Sequence, residues 1–466
     1  MRGRNAILLV LPLAAGLLTA VPARSAAPCP GAPEAVHGFT AAGPTHDRGT
    51  ACTIGTGFLT GETHLRVAPN GTVVQQPAEH APGVAGSGFV PGAPGPRPQT
   101  QISPAGFAIS SNGGRSFRYV EPANTQWVAS DGSIYIDAAT NRLYYYALSP
   151  VTVPSSGIPV QDQAPAGYAH LLTSKDGGRT WLNNQVPGYV ESENPRFTSG
   201  VAPRGGDRPA AGERIAYWCG NTAMFAYGKR DCWRTLDGGA HWTFRSSLLR
   251  QYDPIHAQCG RAGEDFDSGD GYYPQAGPDG TLWSVISCGG KDFLVRSTDE
   301  AASFPVVRAL PAVDELRVDS RGTFYGVTRS GTHLLLRTST DQGRHWSAPT
   351  DLVAPERRRQ AVGQWAMALR GPGQVAVAYL SARAEGGYDG SVTVQKGGRF
   401  LTATVHGGAR PLVTTPQQAK DDYIDLDVAP DGSAWGSFYG DCAGSSACAT
   451  SSTNPMAKVG VLLHVG

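Results

Sequence analysis

One stretch of the chain concentrates side chains able to do acid–base or ligand chemistry: Asp253, His256, Glu264, Asp265, Asp267, Asp270, Tyr272 and Tyr273. Carboxylates beside two tyrosines can bind sugar hydroxyls, move protons or hold Ca²⁺. The spacing Asp265-x-Asp267-x-x-Asp270-Gly271 misses the calcium-loop pattern by one residue, so no cofactor is predicted and Ca²⁺ stays as the metal alternative. The other reading is a solvated acidic loop tethered by Cys259 and Cys288. Arg357-Arg358-Arg359 is a short basic run that reads as a solvated loop. The chain has no Gly-x-Ser-x-Gly elbow, no His-Glu-x-x-His helix, no phosphate loop and no dinucleotide glycine fingerprint.

Composition limits the elements that can position these residues. The chain has 466 residues, enough for about three domains or one large repetitive one. Its 60 Gly and 35 Pro break long helices and exclude a coiled coil or helical bundle. Yet 40% of residues are hydrophobic, which supports a large core and excludes wholesale disorder. The formal net charge of +1 gives no global grip on nucleic acid. Short Val/Tyr/Trp/Leu segments between Gly/Pro-rich runs make an all-β pattern.

The first 27 residues read as a secretion signal. Arg2 and Arg4 supply the positive start, residues 6–21 the apolar stretch, and Ala23-Arg24-Ser25 or Ser25-Ala26-Ala27 the cleavage site. No cysteine forms a lipobox, and no later segment is long enough to span a bilayer. A secreted protein with no stable membrane span after signal cleavage is therefore predicted. The eight cysteines suit an oxidising compartment and fall in local pairs, Cys29/Cys52, Cys219/Cys232, Cys259/Cys288 and Cys442/Cys448. Nearest-neighbour disulfides are expected, although eight cysteines allow 105 pairings.

A pattern of Ser/Thr-x-Asp-x-Gly-x-x-aromatic recurs. It is clearest at Ser174 to Trp181, Thr235 to Trp242 and Ser339 to Trp346. Ser110 to Phe117 has Asn112 for Asp, and Ser297 to Phe304 has Ala301 for Gly. The pattern encodes a tight hairpin: Asp accepts turn N–H groups, Gly takes positive φ, and the aromatic folds back as an anchor. It resembles the Asp-box, or BNR repeat, of sialidase-type β-propellers. The stretch from Ile215 to Trp346 is most similar to secreted bacterial sialidase-like BNR proteins.

Strands laid around these hairpins, and around turns such as Pro69-Asn70-Gly71, Ser130-Asp131-Gly132 and Pro278-Asp279-Gly280, give four-stranded blades. Units begin near His64, Thr125, Phe197, Tyr273, Glu315, Gln364 and Tyr423. Seven blades are preferred and six, the sialidase number, are the alternative. Residues 28–60 are expected to close the ring by completing the last blade, with residues 61–466 as the propeller domain.

The resemblance places ligands on the face opposite the Asp-boxes. It implies Tyr423 as nucleophile, Glu315 as the carboxylate that activates it, and Arg329 among the arginines that clamp a substrate carboxylate. Arg196, Arg317 and Arg357 are the other arginines within reach of that role, and Asp265, Asp267, Tyr272 and Asp422 are further substrate-binding candidates. The family's early Arg-Ile-Pro segment and its acid Asp are missing, and Ile424 replaces the usual Ser. The expectation is accordingly a propeller binding an extracellular glycan or protein, with a sialidase or related glycoside hydrolase as the alternative.

Overall fold

The computed structural model of the chain describes residues 40–42, 51–60, 63–78, 106–120, 133–147, 168–187, 196–221, 230–247, 274–288, 291–406, 411–413, 424–441 and 458–466. Their regular structure is strand, apart from one 3-10 turn at Pro355–Arg357. The strands form seven antiparallel sheets, whose strands follow chain order from the inside outward except where N-terminal strands take the outermost position in the last two. The inner strands are His64–Val67 (blade I), Ser133–Ile136 (II), Arg196–Gly200 (III), Gln275–Ala276 (IV), Glu315–Val318 (V), Val362–Leu369 (VI) and Asp425–Val428 (VII). Each inner strand touches the next, and that of blade VII touches that of blade I. The fold is therefore a closed, all-β, seven-bladed propeller. Ala51–Leu59 runs antiparallel to Lys458–Val465 as the outer strand of blade VII, and Thr40–Ala42 adds a fifth strand to blade VI. Among the described residues no helix is long and apolar enough to cross a membrane.

Blade II departs from the sequence reading. Thr125 and Ser130-Asp131-Gly132, where the sequence reading starts this blade and sets its turn, lie outside the described residues; the described inner strand is Ser133–Ile136, and the chain reverses to the next strand at Asp137 to Arg142. There Asp137 Oδ1 accepts the N–H groups of Ala139 (2.7 Å) and Thr140 (3.1 Å), and Asn141 adopts φ 57°. Asp and Asn supply the turn chemistry without a glycine, so a search for Asp-Gly passes over it.

The recurring hairpins share one hydrogen-bond set. Ser174 Oγ donates to Asp176 Oδ1 (2.8 Å) and accepts the Gly178 N–H (2.9 Å), while Asp176 Oδ1 accepts the N–H groups of Arg179 and Thr180 (both 2.9 Å). Ser110, Thr235, Ser297 and Ser339 accept the equivalent N–H in the other copies. Each aromatic that follows is a wedge against the preceding blade. Trp181 stacks on Phe107 of blade I (5.2 Å between ring centres), and Trp242 meets Tyr144 of blade II edge-on (6.2 Å). Phe304 packs with Ile215 and Tyr217 of blade III, Trp346 with Trp283 and Leu294 of blade IV, and Phe117 with Ile54 and Trp435 of blade VII. Phe304 is fully buried, whereas the other four aromatics are only partly so.

Cys219 and Cys232 stand directly opposite each other on adjacent strands of blade III and form a disulfide, with S–S 2.09 Å. Cys52 is also disulfide-bonded, and no described cysteine is free. Cys29, Cys259, Cys442 and Cys448 lie outside the described residues.

Phe304→Ala should cost about 3–5 kcal/mol in equilibrium urea unfolding, and Trp181→Ala measurably less because its ring is partly solvated. Replacing Cys219 and Cys232 together by serine should cost about 3 kcal/mol in the same experiment, the value for a loop of this length.

Candidate functional site

The topology sorts the connections onto two faces. The hairpin turns and the turns after each inner strand lie on one face. On the other, the chain leaves blade I at Ala78 and returns at Gly106, leaves blade II at Ala147 and returns at Tyr168, and leaves blade III at Ser247 and resumes at Pro274. The heads of the inner strands open on this second face, around the channel.

Blades VII and I build one highly charged part of that mouth among the described residues. An inner strand has an unpaired edge, so the N–H groups of Leu65 and Val67 point away from their own blade. Asp425 Oδ2 accepts the Leu65 N–H (3.0 Å) and Asp427 Oδ2 the Val67 N–H (2.8 Å). Their second oxygens accept the N–H of the following residue, Leu426 (2.9 Å) and Val428 (2.8 Å). Arg66 Nη1 lies 2.5 Å from Asp425 Oδ2, and His64 Nδ1 lies 3.5 Å from it. Burial alone would push the Asp425 carboxyl up, but Arg66, His64 and Arg196 outweigh it and hold it well below the usual carboxylate range. Burial pushes the His64 imidazole down, with Asp425 offsetting only part of the effect. Asp427 goes the other way: burial raises its pKa, and Arg66 opposes this only in part.

Arg196, at the head of the blade III inner strand, therefore acts within electrostatic reach of Asp425 and His64. Glu315 heads the inner strand of blade V, buried, and is ion-paired with Arg317. Arg317 also donates from Nη2 to the Met367 carbonyl of blade VI (3.3 Å). Arg329, near the end of the next strand of blade V, is exposed and donates from Nη1 to the Gly363 carbonyl (3.2 Å). Its backbone N–H is held by Asp314 Oδ2 (2.7 Å). Two of the arginines named from sequence thus fasten blade V to blade VI.

The run Arg357-Arg358-Arg359 is not a fully solvated loop. Arg357 pairs with the buried Asp389 (3.0 Å) and Arg358 with Asp351 (2.7 Å), while Arg359 is exposed. The acidic partners come from other strands, so the run alone gives no sign of them. Tyr423, Asp422, Asp265, Asp267 and Tyr272 lie outside the described residues. Sequence reasoning passed over His64, Arg66 and the capping role of Asp425 and Asp427; the signal was the alternation Asp425-x-Asp427 at the head of an inner strand. No group of three His, Cys, Asp or Glu side chains among the described residues is placed to hold a metal ion.

The chain matches no protein-family model and no curated protein. Solved structures similar to it include virginiamycin B lyase from Staphylococcus aureus, with 8% identity, 90% of this chain and 99% of that chain covered, and a TM-score of 0.43. The fungal lectin of Aleuria aurantia is similar at 10% identity, 76% and 99% coverage and a TM-score of 0.42. A sialidase from Streptococcus pneumoniae is similar at 10% identity, 70% and 65% coverage and a TM-score of 0.37. Similarity at this level is to the architecture and not to any site.

The pKa directions set the acid stability. Stabilisation from charged Asp425 is complete above the ordinary carboxyl value of about 3.9 and is lost as pH falls toward its depressed folded value. His64 acts in the same sense from about pH 6.5 downward, because the unfolded chain binds the proton that the buried ring resists. Asp427 contributes the opposite sign, losing stability as pH rises through its raised value. Asp425→Asn is expected to cost about 2 kcal/mol at pH 7 and to flatten the loss of stability below about pH 4, read from urea midpoints across pH. An unchanged acid limb would contradict the assignment.

Proposed function

We propose that this protein is an exported β-propeller of the Asp-box type that binds an extracellular glycan, or a protein, on the face opposite its hairpin turns. The carrying observation is the placement of polar and charged side chains at the inner-strand heads, Arg196, His64, Asp425, Glu315 and Arg317, on the face where the long connections leave. Loops held by a rigid scaffold are where binding residues concentrate. Export is supported by the disulfide between Cys219 and Cys232, a bond that persists in oxidising compartments. The shared Ser/Thr–Asp–Gly hydrogen-bond set supports the Asp-box reading.

Binding ranks above glycoside hydrolysis for an electrostatic reason. A carboxylate clamp needs guanidinium groups free to converge on the sugar. Arg317 is committed to Glu315 and Met367, and Arg329 reaches Gly363. Glu315, the residue that would activate Tyr423, is itself buried against Arg317. The hydrolase reading keeps one observation in its favour: Glu315 and Arg329 lie on one blade and on the correct face.

A fluorogenic α-sialoside assay and a printed glycan array, run on the full chain, separate these readings. Turnover near zero in the parent and in Tyr423→Phe alike is expected, with array binding weakened at least about tenfold by Arg196→Ala, as for loss of one charged contact. Robust turnover abolished by Tyr423→Phe would replace the binding reading with a sialidase.

A further inference from the structure

Away from the channel, on the rim of the hairpin face, a groove of about 350 Å³ runs between the outer strand of blade IV (Val306–Ala309) and the hairpin turn of blade V. Three arginines line it: Arg296, Arg308 and Arg344. Arg296 and Arg344 are exposed, and Arg308 is half-buried. Among the described residues none of the three guanidinium groups has a carboxylate partner. The carboxylate of the same blade V turn, Asp341, is already occupied by Ser339, His345 and backbone N–H groups. Arg308 Nε is shut off from solvent with no hydrogen-bond partner, an arrangement unfavourable for a donor until something accepts from it.

A second, independent feature lies in the same groove. Gln342 adopts φ 59°, where blades I, II and III have Gly113, Gly177 and Gly238. A non-glycine residue is disfavoured there, and residues held in such conformations cluster at binding and active sites. Blade IV illustrates the point: Glu300, at φ 59°, spends its side chain on Arg234. Gln342 has no such partner among the described residues, and it lines the groove.

We propose that this groove is a second binding site, for a sulfated glycan chain, separate from the channel mouth. Planar guanidinium forks match the oxygens of a sulfate ester bidentately. Exposed Val306 and Pro305 offer an apolar wall for the C–H face of a sugar ring, and the Gln342 amide can both donate to and accept from a hydroxyl. The groove is open along the rim, which suits a polymer better than a single ion.

The test is fluorescence anisotropy of the full-length protein with a labelled, heparin-derived sulfated hexasaccharide at fixed ionic strength. Arg308→Gln and Arg344→Gln should each weaken binding at least about tenfold, the scale of one charge-assisted contact. Arg115→Gln removes the same charge at the equivalent turn position of blade I and should change nothing; thermal unfolding of each variant checks that it folds. Desulfated hexasaccharide should not compete. The proposal is overturned by absence of binding in the parent, by an equal effect of Arg115→Gln, or by equal competition from polyphosphate or an acidic peptide. None of these outcomes bears on Arg196 or on the opposite face, so this test and that of the channel mouth fail separately.

Discussion

A ring of sheets has to be closed where its last blade meets its first, and here two carboxylates, Asp425 buried and Asp427 partly so, seal the inner side of that seam. The inner strand of blade I presents its Leu65 and Val67 N–H groups along an edge that no strand covers. Asp425 and Asp427, two residues apart and so on the same side of the blade VII inner strand, accept both. Unpaired, those donors would each carry the desolvation penalty of a buried polar group. The outer side of blade VII is completed by Ala51–Leu59, which pairs with Lys458–Val465 and so ties the start of the chain to its last strand. The closure also dictates local electrostatics. A carboxylate buried at the channel needs cations around it, and Arg66 and Arg196 supply them, with the His64 ring beside them. Charge at the channel mouth therefore has a structural origin, and any binding function of that face is built on charges the closure already requires.

The hairpin face solves a different problem, the packing of each blade on the one before it. A Ser or Thr hydroxyl and an Asp carboxylate tie down a turn so tightly that the following aromatic is aimed at the preceding blade. The residues that look most chemical in the sequence repeat are thus used up in holding blades together.

These two roles differ in how far they can be read from the sequence. The hairpins are local: Ser, Asp, Gly and an aromatic within eight residues specify a turn whatever surrounds it, so blades built on them could be placed and counted. The turn between the first two strands of blade II, which uses Asp137 and Asn141 in place of Asp-Gly, is not legible in this way, because two chemistries satisfy one geometry. The channel mouth was less legible, since its contacts are between residues remote in sequence. Glu315 and Arg329 could be set on the right strands from spacing alone, but not the pairing of Glu315 with Arg317 nor the reach of Arg329 to Gly363. The capping of Leu65 by Asp425 joins positions 360 residues apart, and no local pattern encodes it.

The account turns on that capping, and amide hydrogen exchange of the native full-length protein measures it most directly. If Asp425 and Asp427 seal the open edge, the Leu65 and Val67 amides should exchange as slowly as those of central strands such as Val375–Ala382, in spite of facing the channel. Exchange of these two amides at the rate of exposed loop residues would show that the seam is open in solution, and would contradict the closed ring on which the rest of the structure depends.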